Sequence, residues 1–237
     1  MNAAVIIIGN EILTGKFADE NGPFLIGELR RLGVRLVRLV TIDDTLDAIA
    51  EEVRRCSDLA DVVFTTGGVG PTHDDLTFEG VAQAFGVGLE LNAELVAIME
   101  RFGLPLHDAN LRMATVPSGT ELVHDPAVGF PVVQIRNVYV LPGIPKLVRL
   151  KFAAIAPRLT GVVLHTDRVY VDEWESGIAT ALGEIVNAFP TVAIGSYPRS
   201  GEGPFRTLLT LESEDASAVE QAVSAMRAAL PWVEFTP

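Results

Sequence analysis

Cysteine is nearly absent. Cys56 stands alone among 237 residues, which excludes an internal disulfide and a thiolate metal site and leads us to expect a reducing, intracellular compartment. Basic side chains are also scarce, with 18 Lys and Arg against 31 Asp and Glu for a formal charge of −13. That balance argues against a nucleic-acid partner, because such binding depends on cations meeting phosphates. No apolar stretch reaches the roughly 20 residues that a membrane-spanning helix requires. The apolar run Ala3 to Ile8 lacks a basic flank and stops at Gly9-Asn10-Glu11, unlike a signal peptide. The expected setting is cytoplasmic, without membrane contact. There is no Gly-Lys-Ser/Thr of a Walker loop and no dinucleotide fingerprint. His73, His107, His124 and His165 show no ligand spacing.

What is present is ample core material, with 49% hydrophobic residues, arranged in alternating patterns. Val5 to Ile8 reads as a buried strand. Leu25, Leu29 and Leu32 fall at helical spacing, and Gly33 supplies a stop. A strand over 34–40 precedes a helix carrying Leu46, Ile49, Ala50 and Val53, with Asp44 as the expected N-cap. Val62 to Phe64 is the next strand. Two helices follow, one with Phe78, Val81, Ala82 and Phe85 ended by Gly86, the other opened by Asn92 with Leu95, Ile98, Met99 and Phe102 inward. Strands over 132–135 and 138–141 and a helix with Val148, Phe152 and Ile155 complete a first domain, 1–160. This alternation predicts a parallel sheet covered on both faces. Past a boundary at 157–166, the order strand, helix, strand, strand, helix, strand predicts a ferredoxin-like α+β domain over 166–237, with Trp174 and Trp232 packed in it.

The chemistry concentrates in Thr65-Thr66-Gly67-Gly68-Val69-Gly70-Pro71-Thr72-His73-Asp74-Asp75-Leu76-Thr77, between a buried strand and a helix. In an open parallel sheet, that is the strand end at which ligands bind. Gly67, Gly68 and Gly70 let backbone N–H groups approach phosphate oxygens, and Thr66, Thr72 and Thr77 add hydroxyls. Bare carboxylates repel phosphate, so Asp74 and Asp75 fit such a loop by holding a hard divalent cation that also touches the ligand. The alternative is a tight turn with Asp75 as an ordinary helix cap.

Three further segments are candidates. Gly9-Asn10-Glu11-Ile12-Leu13-Thr14-Gly15, with Asp19 and Asn21, follows the first strand; Glu11 and Asp19 either join the cation site or cap the next helix. The Pro142-Gly143-Ile144-Pro145 turn either offers amides to a ligand or is a rigid connection. Asn110 and Arg112 offer an amide and a phosphate-matching guanidinium, or lie solvated on the surface.

These strings together resemble the MoaB/Mog molybdopterin-binding domain. The paired aspartates and the Gly9 to Gly15 motif are similar to the subgroup of competence/damage-inducible protein A (CinA). Asn110 with Arg112, Leu141 to Pro145, Glu175 to Ala179 and Ile194 to Pro198 also resemble that subgroup. Val128-Gly129-Phe130-Pro131 followed by Arg136-Asn137-Val138-Tyr139 resembles the molybdopterin-binding-like domain fused to eukaryotic FAD synthase. The Thr-Ala-Pro-Gly-type string of many bacterial members is absent at this point. The resemblance brings neither a nicotinamide-nucleotide deamidase nor an adenylyltransferase domain within these residues, so those activities are not carried over.

The resemblance implies a three-layer α/β/α sandwich with a ferredoxin-like appendage, in a homo-oligomer that is a dimer or trimer. It implies metal-dependent cleavage of nucleotide pyrophosphates such as FAD or ADP-ribose, with Mg²⁺, Co²⁺ or Ni²⁺ as the metal and K⁺ as a further candidate ion. The alternative is a molybdopterin-binding protein, for adenylylated molybdopterin or the pterin itself, in which the aspartate matching Asp75 handles the pterin.

Overall fold

Ala3 to Ile8 are all buried, with Ala4, Ile6 and Ile8 in one core and Ala3, Val5 and Ile7 in another. A strand apolar on both faces belongs inside a sheet covered on both sides, flanked by a strand on each edge. That is its position in the computed structural model, which describes residues 1–237 except Ala127, Glu202 and Pro237.

The first unit, Met1–Gly161, opens with β1 (Asn2–Ile8), α1 (Asn10–Leu13), α2 (Asn21–Arg31), β2 (Arg35–Ile42), α3 (Leu46–Leu59) and β3 (Val62–Thr66). It continues through α4 (Thr77–Phe85), β4 (Leu89–Leu91), α5 (Ala93–Arg101), α6 (Asp108–Arg112) and β5 (Thr115–Pro117). It closes with β6 (Glu121–Asp125), β7 (Val128–Ile135), β8 (Val138–Leu141) and α7 (Pro145–Ile155). The main sheet has the order β2-β1-β3-β8-β7-β6. Its first four strands run parallel, whereas β7 and β6 pair antiparallel. The expected three layers are all present. On one face α2 and α7 bury Leu25, Leu29, Val148, Phe152 and Ile155; on the other α3, α4 and α5 bury Ile49, Val53, Val81, Leu95 and Met99. Phe64 sits 5.6 Å from both Tyr139 and Phe152, ring to ring, and truncating so buried a ring costs about 3–5 kcal/mol.

Helix limits follow local chemistry. Asn92 caps α5 by accepting from the Glu94 and Leu95 amides, while Gly33 and Gly86 take left-handed φ of 68° and 66° where α2 and α4 stop. Other expectations are corrected. The residue preceding α3 is Thr45, not Asp44, and no side chain caps that helix. Phe102 is not inward; it lies just past α5, half-exposed, stacked on Phe130 at 5.8 Å. Strands β4, β5 and β6 were not expected, and β4 pairs with β5 in a ribbon of its own.

The second unit, Val162–Pro237, contains β9 (His165–Val171), α8 (Glu175–Ala188), β10 (Ala193–Pro198), β11 (Thr207–Ser213), α9 (Ala216–Ala229) and β12 (Trp232–Val233). All of its strand pairs are antiparallel, in the order β10-β11-β9-β12, which is the ferredoxin-like arrangement. Val169, Val171, Leu209 and Leu211 meet Ile178, Ile185, Val219 and Met226 in its core. Trp174 and Trp232 are not part of that core. They are 44% and 42% exposed, under the guanidinium groups of Arg206 and Arg227. Among the described residues no helix is long and apolar enough to cross a membrane.

Candidate functional site

Four parallel strands end at one edge of the main sheet, at Ile8, Ile42, Thr66 and Leu141. The chain leaves β1 for β2 on one side and returns to β3 on the other, so strand order reverses between β1 and β3. Crevices at such switch points are where open α/β sheets bind ligands. Here the four following turns line a single cleft of 840 Å³.

The turn after β3 is built around glycine. Gly67 and Gly68 have φ of 104° and 61°, conformations that favour glycine. A Cβ on Gly67 would overlap the Ile8 carbonyl oxygen, and one on Gly70 would lie 2.6 Å from Asp75 Oδ2. The Gly67 amide donates to the Leu141 carbonyl at 3.2 Å, so it braces the turn rather than facing a ligand. Among the described residues the Gly68 and Gly70 amides have no such acceptor, and both residues line the cleft. Thr77 is fully buried; its hydroxyl donates to the Gly67 carbonyl at 2.7 Å and its amide to Gly68 at 3.0 Å. Thr72 donates through its amide and hydroxyl to Asp75 Oδ2, at 2.9 and 2.5 Å. Neither threonine is on the cleft wall.

Asp74 and Asp75 both line the cleft, but their surroundings differ. One oxygen of Asp75 is committed to Thr72. The Asp74 side chain is 63% exposed, with His73 Nδ1 3.8 Å away. The Thr72 hydroxyl, within reach of both carboxylates, holds Asp74 below its ordinary range first, followed by its own backbone amide.

The other turns supply the rest of the wall. Asp19 accepts from the Asn21 and Gly22 amides at 2.9 and 3.0 Å, so this carboxylate holds the start of α2. Asn21 is buried, and its Nδ2 donates to the Gly143 carbonyl at 2.8 Å, tying α2 to the turn after β8. Gly143 packs directly on Gly67, since a Cβ there would lie 3.4 Å from the Gly67 Cα. Glu11, exposed on α1, also faces the cleft.

Two more candidates lie outside the cleft wall, as Thr72 and Thr77 do. Arg112 Nη2 donates to the Asp75 carbonyl and to Glu79 Oε1, both at 3.2 Å, which makes it a brace behind the loop. Asn110 donates to the Pro105 carbonyl at 2.8 Å and knits the approach to α6. Sequence reasoning missed Asp44 as a cleft residue. Burial, then the Asp43 carboxylate, raises its pKa above the ordinary value, against opposing backbone hydrogen bonds. Its position just past β2, at the same edge as the other turns, was the available signal.

Among the described residues no three His, Cys, Asp or Glu side chains come together as a metal cage. The donors at the cleft are hard carboxylates. They suit a cation of the magnesium type, which takes one or two carboxylates and draws its remaining ligands from phosphates and water.

Fold and site together define an open-sheet α/β protein with a strand-end cleft of the ligand-binding kind. More particularly, the chain belongs to the family described as Probable molybdopterin binding domain, which matches residues 4–161. Residues 163–236 match the family described as FAD synthase, middle domain. An Archaeoglobus fulgidus protein is 34% identical over 223 residues, covering 94% of this chain and 95% of its own. A Caenorhabditis elegans protein named Probable FAD synthase is 33% identical over 255 residues, covering 95% of this chain. This chain spans only 49% of that relative's length. Among solved structures, the protein CinA from Thermoplasma acidophilum, described as of unknown function, is 32% identical with a TM-score of 0.61. That match covers 66% of this chain and 96% of the other.

Proposed function

We propose that this chain is a metal-dependent nucleotide pyrophosphatase that cleaves FAD, ADP-ribose or a related dinucleotide. The observation that carries this reading is the meeting of the Gly68 and Gly70 amides, without an acceptor among the described residues, with the Asp74 and Asp75 carboxylates in one cleft at the switch point of the sheet. The amides would stabilise charge developing on phosphorus oxygens, a contribution that preorganised donors make without reorganising. Asp74, with the uncommitted oxygen of Asp75, would hold the divalent cation. When bound, such a cation polarises a phosphoryl oxygen and lowers the pKa of an attached water. Asp44 has a raised proton affinity and would take the proton that the attacking water loses. Water adds across the P–O–P bridge, one phosphate leaving as AMP and the other as FMN or ribose 5-phosphate. Arg112 would act by holding the loop through the Asp75 carbonyl. The homo-oligomer is part of the same proposal, and light scattering measures it directly.

The test is incubation of the purified, folded protein with FAD or ADP-ribose and Mg²⁺, Co²⁺ or Ni²⁺. AMP is expected, and its absence with every metal removes the claim. A second reading is a binding protein for molybdopterin or its adenylylated form, without hydrolysis. It is favoured by the family of residues 4–161. Calorimetry separates the two, since tight binding of adenylylated molybdopterin with no response to FAD supports the second.

A further inference from the structure

Beside the polar cleft lies an apolar chamber of 410 Å³ that the mechanism above does not use. Phe78 from α4, Leu95 from α5, Phe130 and Val133 from β7, Val140 from β8 and Leu150 from α7 form its walls. Its volume falls in the range of pockets that hold small organic ligands, about 300–1,000 Å³. Val69, Met113, Pro142 and Leu147 line both spaces, so chamber and cleft adjoin across these four residues.

One cation stands in this apolar wall. Lys151 Nζ donates to the Phe130 carbonyl at 3.0 Å and to the Pro131 carbonyl at 2.6 Å. An ammonium carries three N–H donors, and the third has no protein acceptor among the described residues. Burial pushes the Lys151 pKa down to about 8. Keeping a charge in such surroundings is costly unless its donors are used.

We propose that the chamber is the ring subsite of the ligand whose phosphates occupy the cleft. A flat fused heteroaromatic ring with a pyrimidinone edge, the feature shared by isoalloxazines and pterins, packs against Phe78, Phe130 and Val140. Its carbonyl or ring-nitrogen edge takes the third proton of Lys151. This rests on the cleft receiving the phosphates, and it names the part of the ligand that sets specificity. A ligand with only phosphates and sugar leaves the chamber unfilled.

Binding rather than turnover tests it, so failure of hydrolysis and failure of the ring subsite give different results. Riboflavin and biopterin, rings without phosphate, are titrated into the full chain by fluorescence, and Mg-pyrophosphate, phosphates without a ring, by calorimetry. At least one ring is expected to bind saturably, and which one tells flavin from pterin. Leu150→Trp, which narrows the chamber, and Lys151→Met, which removes the donor, are each expected to weaken that ring at least tenfold. Pyrophosphate affinity should stay within twofold in both variants. No saturable binding of either ring to the wild-type chain would overturn the proposal. So would unchanged ring affinity in both variants, or a parallel loss of pyrophosphate. If Leu150→Trp melts below the assay temperature, Lys151→Met and the wild-type titrations decide.

Discussion

The turn after β3 and the turn after β1 share one edge of the sheet but use their polar side chains differently. The β3 turn is held mainly by its own residues, with Thr72 bonded to Asp75 and Thr77 to Gly67. The β1 turn is knit locally by the short helix α1 and by Asp19 at the start of α2, and its side-chain tie reaches outward, from Asn21 to Gly143, 122 residues away. The difference separates polar residues that make the cleft from those that face into it. Asp75 is split between the two roles, Asp19 serves the first, and Asp74 is the more open of the carboxylate pair.

The largest expected effect falls on the self-held turn. Gly67→Ala places a Cβ on the Ile8 carbonyl at a left-handed φ and should cost about 3 kcal/mol or more, read by chemical denaturation. Next is the outside tie. Asn21→Leu leaves the Gly143 carbonyl without its partner and should cost about 1–3 kcal/mol. The carboxylate pair sharpens the comparison. Asp75→Ala should cost about 1 kcal/mol through the lost hydrogen bonds from Thr72, whereas exposed Asp74→Ala should stay within about 0.5 kcal/mol. Both should lower turnover by about 10²-fold. Equal stability losses in the two variants would erase the distinction between them.

The remaining effect concerns pH and lies away from both turns. Lys151 titrates near 8 when folded against 10.5 when free, because of burial. The unfolded chain therefore holds the extra proton between those values, so stability should rise with pH across that window, by at most about 1.4 kcal/mol per pH unit. Below pH 8 the full cost of the buried charge remains. Lys151→Met should flatten this limb in denaturation curves measured from pH 7 to 11.

The comparison also explains which parts of the site were legible. Glycine stops at Gly33 and Gly86, the Asn92 cap and the doubly apolar β1 leave local marks, because φ, capping geometry and burial each act on neighbouring residues. The β3 turn was legible as a glycine-built turn at a strand end for the same reason. What local pattern cannot carry is the choice between partners distant in sequence. The Gly67 amide is taken by Leu141 and the Arg112 guanidinium by the Asp75 carbonyl, and nothing near either residue signals it. Asp44 becomes a cleft residue only once β2 is aligned beside β1. Strands of three residues such as β4 and β5 are too short to show a period.

The most direct test of the cleft as a pyrophosphatase site is AMP release from FAD by the wild-type chain and by Asp74→Ala, compared in Mg²⁺, Co²⁺ and Ni²⁺ with both proteins verified as folded. The expected result is metal-dependent AMP from the wild type and about 10²-fold less from the variant, at equal thermal stability. Equal AMP release from the two proteins would contradict the assignment of Asp74 to the cation.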